Sequence, residues 1–385
     1  MLAPAPVTGS RTASIAAAIG TIAVVGVGLG LTVPLLAIEM ESRGVPRTLI
    51  GLNTAVAGIA NIVVAPFVTG MVRRHGVGTL LFGALALTAL SLLAFKLTSS
   101  FAIWCALRFI AGAAFCVLFV VSEFWINAAA PPERRGLVMG IYATAMSLAV
   151  AAGPAILGVT GSEGWAPYIA GAVIFSAGMV PVIIGASGAP EVHEESRLSV
   201  FALLRIAPSA SLAAFIFGAV ETGEMSFLAI YGIRRGLDES SAAMLMTVAL
   251  LGGVVFQLPL GLLSDRMSRR KLLLACGATG LAGALILPWL AIDGWAIRAV
   301  LFVSIGVVAG LYTVGLAHLG ARFHGAELAA ANSVFVMLYA IGLTIGPPLV
   351  GAGMDAIDPH GFAVTLAELM AFYVAVVAWR VARVP

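Results

Sequence analysis

Two glutamates, Glu221 and Glu224, stand three residues apart in the stretch FGAVETGEMSF, inside an otherwise apolar run. On a helix that spacing puts both carboxylates on one face. Two like charges so close in a poorly polarisable setting do not ionise together, so the pair is expected to hold a proton and exchange it. Two other readings stay open: one glutamate caps a local helix break, or one pairs with a neighbouring helix. Gly218 and Gly223 beside them are able to loosen the helix, and opened helices are a common place for binding at mid-membrane. Arg108 also lies within an apolar run. It suits an anionic group or an acid across a cavity, and equally a structural pairing with carbonyls or a helix partner. Glu123 lies about 22 Å further along the same helix at 1.5 Å per residue, so it is not the partner of Arg108; its expected partner is Arg73 or Arg74. Asn61, Gln257 and Asn332 are able to hydrogen-bond either a bound molecule or an adjacent helix. Tyr142, Tyr312 and Tyr339 are ambiguous in the same way, and Glu368 is expected to be structural. His318 stands alone, and no phosphate-binding loop, zinc helix, nucleophile elbow or metal cluster is present in the sequence. Neither enzyme chemistry nor a cofactor or metal is expected.

These groups must be held by elements that are at home in lipid. Of 385 residues, 61% are hydrophobic and 10% charged, where a soluble domain has roughly half apolar and about a quarter charged. One water-soluble globule cannot hide that much apolar surface. A net charge of +3, with no basic run interleaved with aromatics, excludes a nucleic-acid partner. Cys105, Cys116 and Cys276 all lie in apolar segments and read as small buried hydrophobes. The first ten residues carry no charge, and the apolar run after them is too long for a cleaved signal segment, so the first helix is expected to stay.

A helix crossing about 30 Å of hydrocarbon needs about 20 apolar residues. Runs of this length lie near 13–38, 48–71, 78–97, 101–126, 137–160, 166–187, 209–232, 241–263, 272–292, 296–319, 328–350 and 361–380. With the N-terminus inside, Arg73, Arg74, Arg134, Arg135, Arg266, Arg269, Arg270 and Lys271 share one side with other basic residues, and the opposite side receives only Arg43, Arg47, Lys96, Arg234, Arg235 and Arg298. The positive-inside bias therefore expects twelve spans with both termini cytoplasmic.

The chain also repeats itself. Pro66 and Pro259 are separated by 193 residues, and so are Gly153-Pro154 and Gly346-Pro347. Such an offset expects two copies of one unit: a bundle over 1–187, a cytoplasmic linker over 188–200 and a second bundle over 201–385.

The loop Gly261–Arg270, GLLSDRMSRR, resembles the G-x-x-x-D-R-x-G-R-R signature of the major facilitator superfamily, with Ser268 in place of Gly. It sits between the eighth and ninth runs, where the second-half copy of that signature belongs. In the first-half copy Arg74 and Gly76 match, while Arg73 occupies the acidic position. Arg108 and Gly112 are similar to the family's R-x-x-x-G element, and Gly153-Pro154 with Gly158 to the fifth-helix kink of its proton-driven exporters. The stretch from Glu123 through Tyr142 resembles a poorly characterised bacterial branch. The resemblance implies an all-α membrane protein of twelve transmembrane helices in two pseudo-symmetric six-helix bundles. Its implied activity is secondary transport of a small organic molecule by alternating access, with proton-coupled export as the expected direction. Glu221, Glu224, Arg108, Asn61 and Gln257 would serve protons and cargo. Asp265, Arg266, Arg270, Arg73, Arg74 and Glu123 would form a cytoplasmic latch, a charge-assisted contact of about 1–3 kcal/mol, although Arg269, Arg270 and Lys271 also fit a purely topological role beside anionic lipid. The implied setting is a monomer in the bacterial cytoplasmic membrane, with protons, lipids and a small molecule as partners. Uptake of a sugar, amino acid or lipid-like metabolite, and a membrane-embedded sensor, remain alternatives.

Overall fold

A computed structural model describes residues 11–129, 135–185, 208–320 and 325–383. Twelve helices are long and apolar enough to cross a membrane. In chain order they are α1 (Arg11–Ser42), α2 (Arg47–His75), α3 (Val77–Lys96), α4 (Phe101–Ala129), α5 (Arg135–Thr160), α6 (Ala166–Gly185), α7 (Pro208–Arg234), α8 (Glu239–Arg266), α9 (Arg269–Trp289), α10 (Trp295–Leu319), α11 (Gly325–Ala356) and α12 (Gly361–Arg383). No strand occurs among the described residues. Helices prevail because lipid offers backbone N–H and C=O groups no partner, so each span must close its own hydrogen bonds.

Besides α9, which finishes in a 3-10 turn over Leu287–Trp289, two spans are less regular than their apolar runs suggest. Regular α-helix stops at Gly178 in α6 and at Ala309 in α10, each keeping helical dihedrals. At both, the backbone N–H shares two carbonyls, a local tightening that shifts the helix without unsatisfied groups. The expected linker at 188–200 lies outside the described residues.

By contacts the chain divides into two units. One holds α3, α4 and α6 with most of α1, α2 and α5; the other holds α7 to α12 together with Val33–Gly58 and Leu157–Ser162. Within each, the repeat is visible in how helices touch. A Cβ on Gly153 of α5 would fall 2.2 Å from the carbonyl carbon of Gly30 in α1, and one on Gly346 of α11 would fall 2.0 Å from the carbonyl oxygen of Ala219 in α7. Both glycines of the recurring Gly-Pro thus let the fifth helix of a repeat lie directly on the backbone of the first, as small residues do at membrane helix interfaces. Pro66 and Pro259 fall inside α2 and α8 at matching places.

Candidate functional site

α1 and α7 are the most enclosed spans, with 78% and 72% of their apolar windows buried against 28–50% elsewhere. Polar side chains on α7 are therefore held mainly by protein. Phe217, Glu221 and Glu224 follow one another at i, i+4 and i+7, a single stripe along α7. All three side chains stay partly open. α7 runs unbroken past Gly218 and Gly223, so these glycines do not loosen it. Gly218 serves close approach instead: a Cβ there would lie 2.3 Å from the carbonyl oxygen of Tyr339 in α11.

That approach delivers Tyr339 to the stripe. Its hydroxyl donates to Glu221 Oε2 at 2.5 Å, a charge-assisted geometry when the carboxylate is ionised. The Tyr339 ring stacks on Phe217, centroids 5.8 Å apart at 18°, and Tyr312 of α10 stands edge-on to Tyr339 at 5.3 Å. Phe335, fully buried, backs Tyr312 at 5.2 Å. Behind the rings lies an apolar cluster that includes Ala210, Ala214, Leu319 and Leu338. Of the three tyrosines the sequence left ambiguous, Tyr312 and Tyr339 thus stand with Glu221, while Tyr142 of α5 lies against Ser122 Oγ of α4 at 3.2 Å.

Glu224 has different surroundings. It lines a small cavity of about 20 Å³ with Val220, Leu301, Ser304, Leu366 and Met370, space for about one water. Neither Glu221 nor Glu224 has an ion-pair partner among the described residues.

The remaining sequence candidates are dispersed. Gln257 is half-buried in α8, in the unit that contains the glutamates; Arg108, 4% exposed, and half-buried Asn61 belong to the other unit. Arg73 and Arg74 end α2 with exposed side chains, and Glu123 is half-buried near the end of α4. Arg266 is exposed and Arg270 half-buried. The side chains of Asp265 and Asn332 lie outside the described residues.

A second polar cluster went unread in the sequence. On the side expected to be outer, Glu41 at the end of α1 pairs with Arg234 at the end of α7, Nη2 to Oε1 2.6 Å, and with Arg47 at 3.3 Å. Arg47 also pairs with Asp358 at 2.9 Å and donates to the Met354 carbonyl at 2.9 Å. Asp355 of α11 accepts from the backbone N–H groups of Arg47 and Thr48 at 3.0 and 2.8 Å, capping α2 with a carboxylate where its dipole is positive. Ser162, just past α5, donates through Oγ to Glu239 at the start of α8 at 2.6 Å. Glu41 and Arg234 are 193 residues apart, the repeat offset, and Ser162 and Asp355 share that offset. The signal was available: oppositely charged residues at repeat-related helix ends.

A family model described as Major Facilitator Superfamily matches residues 18–243 and 210–385. The chain belongs to the Major Facilitator Superfamily and is an integral membrane transporter. It is 24% identical to the uncharacterized MFS-type transporter YfkF of Bacillus subtilis over 348 residues, 88% of each chain. It is 22% identical to an uncharacterized MFS-type transporter of Yersinia pestis over 343 residues, again 88% of each. Among solved structures it is similar to the nucleoside transporter NupG (TM-score 0.77, 13% identity, 96% of this chain and 98% of that one). It is also similar to a bacterial homologue of the human lysosomal transporter Spinster (TM-score 0.75, 14% identity, 96% and 95%). At these identities the two structures share its fold.

Proposed function

We propose that this protein is a monomeric, proton-coupled exporter of a small organic molecule, working by alternating access in the bacterial cytoplasmic membrane with both termini inside. The observation that carries the reading is the α7 stripe: two carboxylates three residues apart at membrane depth, one bonded to Tyr339, neither offset by a basic partner among the described residues. Charge is costly there, so such a pair is kept for function. A carboxylate pair without a counter-cation lowers its energy by taking up a proton, and loses that proton when a cation or a wetter environment replaces it. Proton and cargo then compete for the same stripe, and opposite occupancy on the two faces of the membrane drives exchange.

In this cycle the outer cluster around Glu41, Arg47, Arg234 and Asp358 closes the outer side and must part for release. Asp265 with Arg266 and Arg270, and Arg73, Arg74 and Glu123 in the first repeat, would serve the inner closure. Arg108, Asn61 and Gln257 are further candidates for contact with cargo or for tuning the acids. Each closure must be worth only a few kcal/mol, or the carrier would rest in one state.

The test is transport in proteoliposomes under an imposed pH gradient. Glu221→Gln or Glu224→Gln should abolish gradient-driven transport while folded protein is still recovered. If both variants transport as the parent does, coupling through this pair is wrong.

A further inference from the structure

Three features of the Glu221 region converge on one kind of cargo. The first is charge: Glu221 is met by the Tyr339 hydroxyl, Glu224 lines its own cavity with apolar side chains and Ser304, and neither forms an ion pair with Lys, Arg or His among the described residues. The second is the ring cluster. Phe217, Tyr312 and Tyr339 stand 5.3–5.8 Å apart, centre to centre. Phe335 backs Tyr312, the apolar cluster packs against Tyr312 and Tyr339, and all three ring-bearing residues stay partly open. With centroids this close, a cation seated against the open part of the cluster lies near more than one ring, and a ring face attracts it through its quadrupole. The third is orientation: Tyr339 donates to one oxygen of Glu221, leaving the other carboxylate oxygen available to accept.

A phosphate or carboxylate ligand would face repulsion from both glutamates. A polyhydroxylated ligand would find aromatic surface where it needs donors and acceptors. A proton alone would satisfy the carboxylates but makes no use of three partly open rings. An organic cation with an apolar body uses all of them, the charge between Glu221 and the ring faces and the body on the apolar side.

We infer that Glu221, Tyr339, Tyr312 and Phe217 form a subsite for an organic cation carrying an apolar or aromatic body. The inference rests on the transport reading above and specifies its substrate class.

The test is equilibrium binding to the purified full-length protein in detergent, at one fixed pH and with no gradient. The probes are tetraphenylphosphonium, a permanent cation, and triphenylphosphine oxide, a neutral molecule of similar build. Tetraphenylphosphonium should bind at least about tenfold more tightly than the neutral probe, and Glu221→Gln should remove that preference. Tyr312→Leu and Phe217→Leu should each weaken cation binding by about tenfold, the scale of one desolvated cation–ring contact. Tyr312→Phe keeps the ring and should bind within about twofold of the parent, which guards against a variant that merely misfolds. Glu368→Gln on α12, a membrane-depth carboxylate with an exposed side chain away from the rings, should bind like the parent and controls for net charge. Equal binding of the two probes, no binding of the cation by the parent, or Leu variants that bind as the parent does would each overturn the subsite. If cation binding fails while Glu221→Gln still abolishes gradient-driven transport, the subsite falls and proton coupling stands. If the cation binds as expected but transport ignores the gradient, the reverse holds.

Discussion

Tyr339 owes its place beside Glu221 to residues without side chains. Gly218, Gly342 and Gly346 bring α7 and α11 so close that a Cβ on any of them would lie 2.0–2.3 Å from backbone oxygen of the other helix. A single methyl there cannot be absorbed by rotating a side chain, because the obstructing atom is main chain. Gly346→Ala is therefore expected to destabilise the protein by about 1–3 kcal/mol, the usual scale of overpacking. It should also lower transport by moving Tyr339 from the carboxylate. Gly261→Ala, where nothing stands within 4 Å of the added carbon, should stay within about 0.5 kcal/mol. Thermal unfolding of the two variants in detergent checks the contrast, and equal midpoints would mean that the α7–α11 contact is looser than described. Glu221 and Glu224 were legible from their spacing alone. The aromatic wall was not, since it requires knowing that positions 118 residues apart meet.

Among the elements, the outer ends of α1, α2, α7 and α11 are tied by charge instead of apolar packing. Glu41 is the centre of this cluster, accepting from both Arg47 and Arg234, with its side chain 13% exposed while Arg234 is 45% exposed. The Glu41–Arg234 pair is half open to solvent, so its own contribution is about 0.5–1 kcal/mol. Placing a third cation among Arg47 and Arg234 costs more. Glu41→Arg is expected to lower stability by about 1–2 kcal/mol, and adding Arg234→Glu should recover roughly the part due to their pair. Unfolding midpoints of both single variants and the double variant give the coupling; a double variant as unstable as the summed singles would mean the two side chains do not interact. At the neighbouring start of α8, Ser241 donates through hydroxyl and N–H to Asp238 at 2.6 and 2.9 Å, and these bonds hold the Asp238 carboxyl below the usual carboxylate range. Its folded value is the lower one. The cap's contribution is therefore fully present above the ordinary aspartate range near about pH 4 and fades only as pH falls below it. The sequence marked Arg43, Arg47 and Arg234 only as the minority charge of the outer side. Pairing them needed the knowledge of which helix ends meet.

For the whole molecule, the charge asymmetry across alternate connections sets a testable orientation. Fusion of alkaline phosphatase to the C-terminus should be inactive and fusion of green fluorescent protein bright, because both termini are expected in the cytoplasm. An active phosphatase fusion would invert the topology and with it the assignment of the Glu41 cluster to the outer face. The 193-residue repeat is carried into the packing. Gly153 and Gly346 play the same packing role in their units, and Glu41 and Arg234, repeat-related ends of α1 and α7, pair with each other.

Twelve spans and the pair of glutamates inside an apolar run were determined by the sequence alone, and the 193-residue offset and an expected orientation were legible there too, because each follows from a property that is local or periodic along the chain. Apolar length measures a crossing, basic residues count loops, a constant offset marks a copy, and a spacing of three fixes a helix face. Tertiary structure decided which rings stand against Glu221, that Glu224 lines a cavity of its own, that α7 stays unbroken through its glycines, and that the outer ends carry an ion-pair cluster. When a helix is apolar all round, its pattern does not say which side meets protein and which meets lipid. That choice is made by close packing between helices far apart in sequence.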